Sequence, residues 1–157
     1  MKADATKLLY FLQKSSQFAI PIYQRNYSWS EAQCKQLWGD IMRAGNDETI
    51  KAHFIGSIVY VERGHQSVTS KEPLLVIDGQ QRLTTLFLLH WYILNRSKIH
   101  LPNSPLANFL YRIRPGSKSF CQALINPQNN FDIKPETESI SELIFNVVWF
   151  HNYWKND

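Results

Sequence analysis

The chain has 157 residues, 44% of them hydrophobic and 19% charged, which excludes wholesale disorder and leaves room for one domain, or for one domain and part of a second. Its formal charge of +4 suits a polyanionic partner but does not demand one. The two cysteines lie far apart and have no zinc-ligand spacing, so we expect no structural metal and a reducing, cytoplasmic location.

The first part of the chain predicts a helix followed by a strand. Residues 4–15 have the composition of a short first helix. Residues 18–29, FAIPIYQRNYSW, mix β-branched and aromatic side chains with Pro21. Because proline cannot donate to a sheet ladder, this pattern predicts a short edge strand that leads into a loop.

The second helix has the clearest signal. Its start is predicted at Ser30, which forms a possible capping box with Gln33, or earlier at Ser28 with Glu31. The apolar residues that follow recur on one helical face: Cys34, Leu37, Trp38, Ile41 and Met42.

A pair of strands and a long helix come next. Residues 53–62 and 73–79 predict two antiparallel strands joined by a polar loop, and a helix is predicted over 82–96. The apolar stretch in that helix, LTTLFLLHWYIL, is too short to cross a bilayer and contains His90. We therefore expect a buried helix with a core histidine, and no membrane segment.

Beyond residue 100 the pattern is less regular. Helical or mixed segments are predicted on both sides of a turn at Pro115–Gly116. A polar loop over 126–139 and a last helix over 140–154 follow.

The stretch VIDGQQRLTTL, residues 76–86, carries the strongest chemical signal. Gly79 permits a tight turn from a strand into a helix whose first N–H groups and positive dipole end form an anion site. Arg82 adds a planar fork suited to phosphate oxygens, and the hydroxyls of Thr84 and Thr85 lie in the first turn.

Uncharged and acidic side chains complete that turn. Gln80 and Gln81 can donate and accept hydrogen bonds without adding charge. A carboxylate at Asp78 would repel an anion unless Mg²⁺ or a water molecule lies between them, which makes Asp78 a candidate metal ligand. The alternative is purely structural: Asp78 caps the helix, Gly79 makes the turn, and Arg82 pairs with a surface carboxylate.

A second candidate region is IPIYQRNYSW, residues 20–29. Tyr23, Gln24 and Arg25 place aromatic and basic groups side by side on a loop, a combination that can bind phosphate and stack on a base. The alternative is a strand whose aromatic rings enter the core while Arg25 is solvated.

Two further features have a functional and a structural interpretation. The glycine before Ser57 interrupts a predicted strand, either because a nucleotide passes over it or because a helix packs closely there. Arg112 and Arg114 complete a phosphate site or are ordinary surface charges.

Three strings in this order, IPIYQRNYSW, HFIGSIV and IDGQQRLTTL, resemble the N-terminal domain of the GmrSD-type restriction enzymes. SspE-like phosphorothioate-sensing proteins share this domain, which belongs to the ParB/sulfiredoxin-like superfamily. Residues 111–125 and the last predicted helix are also similar, so the resemblance covers nearly the whole chain. It implies an α/β (α+β) fold: a small mixed sheet flanked by helices over residues 1–100, and a helical C-terminal extension over 101–157.

The resemblance also implies binding, and in some members hydrolysis, of nucleoside triphosphates at the DGQQR turn, residues 78–82 here. Our hypothesis is that Arg82, Arg25 and the helix N-terminus hold the phosphates, and that Tyr23 stacks on the base. In it, Gln80 or Gln81 orients a water or a phosphate, and Asp78 holds Mg²⁺ or the attacking water. The predicted catalytic residues are Asp78, Gln80, Gln81 and Arg82, with Asp78 also the metal ligand. The predicted nucleotide- and phosphate-binding residues are Tyr23, Gln24, Arg25, Ser57, Gly79, Arg82, Thr84, Thr85 and Arg114.

Departures from the family pattern limit this prediction. Longer members carry an HNH-type nuclease that acts on modified phage DNA; none follows here, so we expect a nuclease-bearing partner or a further region. A sulfiredoxin reaction is not expected, because Gln81 stands where that chemistry needs a cysteine, and Cys34 and Cys121 are expected to be structural. The rival predictions are a non-catalytic DNA-sensing module and an inert product of a broken gene.

Overall fold

The computed structural model describes residues 4–14, 17–61, 73–97, 109–112 and 115–126, and the single residues 129, 139 and 144. In chain order its elements are α1 (Leu8–Lys14), β1 (Phe18–Ile20), α2 (Glu31–Asn46), β2 (Val59–Val61), β3 (Leu74–Asp78), α3 (Gln80–Ser97), β4 (Phe109–Tyr111) and α4 (Pro115–Ile125). This mixture of helices and a small mixed sheet confirms the predicted α/β class.

The sheet has four strands in the order β2-β3-β1-β4. β1 runs parallel to both β3 and β4, whereas β2 is antiparallel to β3. The prediction that residues 18–29 begin with an edge strand is therefore wrong, because Phe18–Ile20 lies between two neighbours and is fully buried. The strand ends before Pro21, so the missing N–H of the proline removes no ladder hydrogen bond.

The core lies between the sheet and α3. Its largest fully buried side chains come from β1, β3 and α3: Phe18, Ile20, Val76 and Leu83. Trp91 of α3 donates from Nε1 to the carbonyl oxygen of Leu124 in α4 at 2.7 Å. That bond satisfies the one polar atom of a large buried ring, and it joins the two helices across the core.

Several predicted elements are confirmed with shifted limits. The antiparallel pairing of β2 with β3 is confirmed, although the first strand covers only Val59–Val61 of the predicted 53–62. α2 begins after Ser30, whose N–H donates to Gln33 Oε1 at 2.8 Å as in a capping box. α3 begins at Gln80, two residues before the predicted start.

The region beyond residue 100 contributes a strand as well as helix. Phe109–Tyr111 pairs with β1, which corrects the prediction of helical or mixed structure there. The predicted turn at Pro115–Gly116 is also wrong, because both residues belong to the first turn of α4. Proline suits that position, where its missing N–H has no partner to lose. The sheet thus draws strands from both sides of the predicted division at residue 100.

Some predictions fall outside the described residues. These are the polar loop 63–72, nearly all of the polar loop 126–139, the position of Arg114, and most of the last helix at 140–154. Within that helix Ile144 is described, is helical and packs against the core. Across the described ranges, no helix combines the length and apolar character needed to cross a bilayer. His90 of α3 is half-buried beside an apolar cavity, and burial lowers its pKa.

The Cys121 thiol is expected to be inert in the folded protein. It packs against the core, and burial raises its pKa to about 12, so almost none of it is thiolate at pH 8. Treatment with a thiol reagent followed by mass spectrometry should label Cys121 only after unfolding. Rapid labelling of Cys121 in the native protein would contradict this packing.

Candidate functional site

The DGQQR turn connects β3 to α3. β3 ends at Asp78, Gly79 has a φ of +86°, and α3 starts at Gln80. The N–H of Gly79 donates to Asp78 Oδ1 at 2.7 Å, and Leu83 closes the first helical turn with a 2.9 Å bond to the carbonyl oxygen of Gly79. Asp78 is exposed. The first turn of α3 therefore opens at the carboxyl end of a strand, with a carboxylate next to it.

The two glutamines face the loop of residues 21–30 and not the solvent. Gln80 and Gln81 are only 6% and 5% exposed. Gln80 donates from Nε2 to the carbonyl oxygen of Arg25 at 2.9 Å. Gln81 donates from Nε2 to the carbonyl oxygen of Asn26 at 3.0 Å, and its Oε1 accepts from the N–H of Ser28 at 2.7 Å. Together the two amides hold three backbone groups of the loop.

The arginine of the motif holds the segment before β2. Arg82 donates from Nη1 to the carbonyl oxygen of Ser57 at 2.9 Å. A Cβ at Gly56, where φ is +106°, would lie 2.4 Å from the Arg82 guanidinium carbon. A Cβ at Gly79 would lie 2.8 Å from the same Ser57 carbonyl oxygen. The glycine before Ser57 thus reflects close packing against a helix, the structural interpretation of that position.

The threonines of the first helical turns bond within the helix. Thr84 Oγ1 donates to the carbonyl oxygen of Gln80 at 2.8 Å, and Thr85 Oγ1 donates to that of Gln81 at 2.9 Å. Thr85 also contacts the Tyr27 hydroxyl at 2.9 Å, and that hydroxyl lies 3.3 Å from Cys34 Sγ. Burial, and then the hydrogen bond with Cys34, raise the pKa of Tyr27, which keeps it protonated.

The loop that the glutamines hold carries exposed side chains. Tyr23 is 66% exposed, and Arg25 is exposed with no hydrogen bond or ion pair to its guanidinium within the described part of the chain. Gln24 instead anchors the loop, donating from Nε2 to the carbonyl oxygen of Ile77 at 2.9 Å. The end of β3 and the loop therefore form one surface that presents an aromatic ring and a free cation.

The acidic side chains offer little to a metal on their own. In the ranges that the structure covers, no three His, Cys, Asp or Glu side chains come together as a metal site. Asp78 is a single exposed carboxylate with one hydrogen bond, to its neighbour's N–H. Such a group fits Mg²⁺ only where substrate phosphates and waters complete the coordination, as they commonly do for this ion.

Most of the sequence-predicted residues come together. The DGQQR turn is hydrogen-bonded directly to both threonines, to Ser57 and to the Arg25 carbonyl oxygen, and Gln24 bonds to Ile77, the residue before the turn. Arg112 is exposed next to β4, and its N–H donates to the carbonyl oxygen of Ile20. Tyr27 and Tyr111 were not predicted, yet the N–H of Tyr27 donates to the Tyr111 hydroxyl at 3.2 Å. Nothing in the sequence predicted this hydrogen bond between residues that lie far apart in the chain.

Comparison of the sequence with known proteins identifies the family of the chain. The chain is similar to the uncharacterized protein MJ0686 of Methanocaldococcus jannaschii. The two are 25% identical over an alignment of 182 residues, which covers 96% of this chain. It spans 31% of that protein's length. The sequence model described as "GmrSD restriction endonuclease, N-terminal domain" matches residues 8–154, which confirms the resemblance and shows that the chain belongs to this family.

Proposed function

We propose that this restriction-enzyme domain binds a nucleoside triphosphate with Mg²⁺ where the DGQQR turn meets the loop of residues 21–30, and that it hydrolyses the terminal phosphate. The observation that carries the proposal is the free, exposed guanidinium of Arg25, whose backbone is held against the N-terminus of α3. A cation beside the positive end of a helix dipole favours a polyanion such as a triphosphate.

Each group at the turn has a role in this proposal. The first N–H groups of α3 lack intrahelical acceptors and face the phosphates, and Arg82 adds the N–H groups that Ser57 does not use. Tyr23, exposed on the loop, stacks on the base. The hydroxyl of Ser57 is proposed to lie nearer the phosphate tail, with Arg114, which lies outside the described residues, as a further predicted phosphate ligand. The hydroxyls of Thr84 and Thr85 already donate within the helix, so in this proposal they support its first turns and do not contact phosphate.

Asp78 and Gln80 are the proposed catalytic groups. Asp78 would hold Mg²⁺, which neutralises phosphate charge when it is bound, or would instead position the attacking water. Gln80 Oε1 is buried and has no hydrogen-bond partner among the described residues. A buried acceptor without a partner is costly, so a donor such as a water molecule bound with the substrate would satisfy it.

Replacing Arg25 with alanine is expected to weaken nucleotide binding roughly 10- to 100-fold, which corresponds to about 1.5–3 kcal/mol for a charge-assisted contact. The fold should not change, because the exposed Arg25 side chain makes no hydrogen bond or ion pair with the described residues and its carbonyl oxygen still accepts from Gln80. The measurement is calorimetric titration of ATP, GTP and CTP, each with Mg²⁺, followed by a phosphate-release assay.

Arg96→Ala is the matched control for that experiment. It removes the same charge from an exposed position on α3, roughly 24 Å along the helix from Gln80 at 1.5 Å per residue. Equal binding by wild type and Arg25→Ala would show that the site assignment is wrong. Absence of binding by folded wild type, for all three nucleotides, would reject the nucleotide proposal itself.

The second candidate function is a DNA-sensing module without catalysis. It is favoured by the exposure of the Tyr23 ring next to a free arginine, a pairing that also suits a nucleic-acid backbone and bases. In that case Arg25→Ala weakens DNA binding, the binding falls steeply with salt, and saturating nucleotide leaves it unchanged. In either proposal, the nuclease of the restriction system is supplied by a partner chain or a further region.

A further inference from the structure

The amide of Gln81 differs from that of Gln80 in having both of its ends occupied. Its Nε2 donates to the carbonyl oxygen of Asn26, and its Oε1 accepts from the N–H of Ser28. The side chain is 5% exposed. An amide enclosed in this way, with a loop group bonded at each end, is placed to hold the loop.

The loop held by this amide makes few hydrogen bonds between its own backbone groups. Between β1 and α2 it contains no regular secondary structure. From Gln24 to Ser28 it has one described backbone bond of its own, from the Gln24 N–H to the Pro21 carbonyl oxygen. Its other described anchors are hydrogen bonds to side chains of α2, α3 and β4 and to one strand carbonyl. Gln81 supplies two of them on either side of Tyr27. Removing it therefore affects the stretch next to Arg25 more than any other single anchor does.

We propose that Gln81 is a positioning residue, which fixes the loop of residues 23–28 so that Tyr23 and Arg25 face a ligand in one arrangement. The relevance to nucleotide rests on the proposed function, whereas the hold on the loop does not. Because the contacts are to backbone groups, they set where the loop lies whatever side chains it carries. The two glutamines of the motif then have different roles. Gln80 has a side-chain oxygen without a partner among the described residues, which can accept from a ligand or water, and Gln81 holds the loop in place.

Two substitutions of Gln81 separate its two hydrogen bonds. Gln81→Met keeps the length of the side chain and removes both bonds. Gln81→Glu keeps an acceptor for the Ser28 N–H, removes the donor to Asn26, and places negative charge beside a carbonyl oxygen. Gln36→Met and Gln36→Glu are the matched controls, since Gln36 is an exposed glutamine on α2.

The first readout is hydrogen exchange of individual backbone N–H groups by NMR, which needs no ligand. In Gln81→Met the Ser28 N–H is expected to exchange roughly tenfold faster, while the amides of α3 keep their wild-type protection. In Gln81→Glu the Ser28 N–H stays protected. Unchanged exchange at Ser28 in Gln81→Met would overturn the proposal, as would an equal rise across α3, which would mean a general loss of stability.

The second readout is the affinity for Mg²⁺ with ATP, GTP or CTP. Faster exchange at Ser28 together with a roughly tenfold weaker affinity in Gln81→Met, partly restored in Gln81→Glu, supports the proposal. Faster exchange with unchanged affinity overturns it, because the loop would then not belong to the site. If the wild type binds no nucleotide, the proposed function fails, and the exchange result alone decides whether Gln81 positions the loop.

Discussion

Gly79→Ala is expected to lower the free energy of unfolding by about 1–3 kcal/mol from the backbone conformation alone, because φ at this position is +86°. A steric cost adds to this. The new Cβ would lie 2.8 Å from the carbonyl oxygen of Ser57, and this is a backbone atom that cannot simply rotate away. The segment before β2 must move, and with it the acceptor that Arg82 uses.

Gly39→Ala is the control for that substitution. Gly39 lies within α2, and no atom lies within 4 Å of a Cβ built there. Alanine is the better helix former, so this variant should gain about 0.5–1 kcal/mol. Urea unfolding followed by circular dichroism measures both variants. A Gly79→Ala protein as stable as wild type would show that the DGQQR turn does not have this conformation in solution.

Long periodic segments explain why much of the fold could be predicted. The apolar face of α2 and the uninterrupted apolar run of α3 carry enough repeats for a helix to stand out from its neighbours. Local chemistry narrowed the start of α2 to two capping residues, and the structure has the one at Ser30. The pairing of β2 with β3 followed from two strand-like segments with a polar loop between them.

The short strands could not be placed in the same way. β1 and β4 have three residues each, too few for a period to show, and their parallel pairing joins segments about ninety residues apart in the chain. Only the assembled four-stranded sheet shows that β1 lies in its interior. Pro21 suggested an edge, but the strand stops one residue before it.

That the named residues form a ligand site stays a prediction, and their contacts could not be predicted from the sequence. The residue types of the DGQQR turn pointed to a phosphate site or to a capped turn, and spacing could not separate these. The structure shows that most of the motif's described contacts go to backbone groups of two flanking segments. Backbone acceptors leave no pattern in a sequence, because any residue can supply them. The sequence therefore suggested a catalytic role for the glutamines, whereas in the structure Gln81 bonds to the loop with both ends of its amide.

Gly56 and Arg82 are expected to be strongly coupled in stability. Gly56→Ala places a Cβ 2.4 Å from the guanidinium carbon, so the arginine must move and lose its bond to Ser57. The positive φ of +106° adds a backbone cost on the order of 1–3 kcal/mol. Arg82→Ala alone loses the charge-assisted hydrogen bond, about 1.5 kcal/mol for a partly exposed group.

The double variant should be more stable than the sum of these losses predicts. Once the guanidinium is absent, the Cβ at position 56 has no side chain to displace, and the bond to Ser57 cannot be lost twice. We expect a coupling free energy of about 0.5–3 kcal/mol, measured by urea unfolding of wild type, both single variants and the double variant. Additive losses would mean that the Arg82 side chain does not pack over Gly56. In that case the arginine is free for phosphate, and the segment before β2 is held by some other contact.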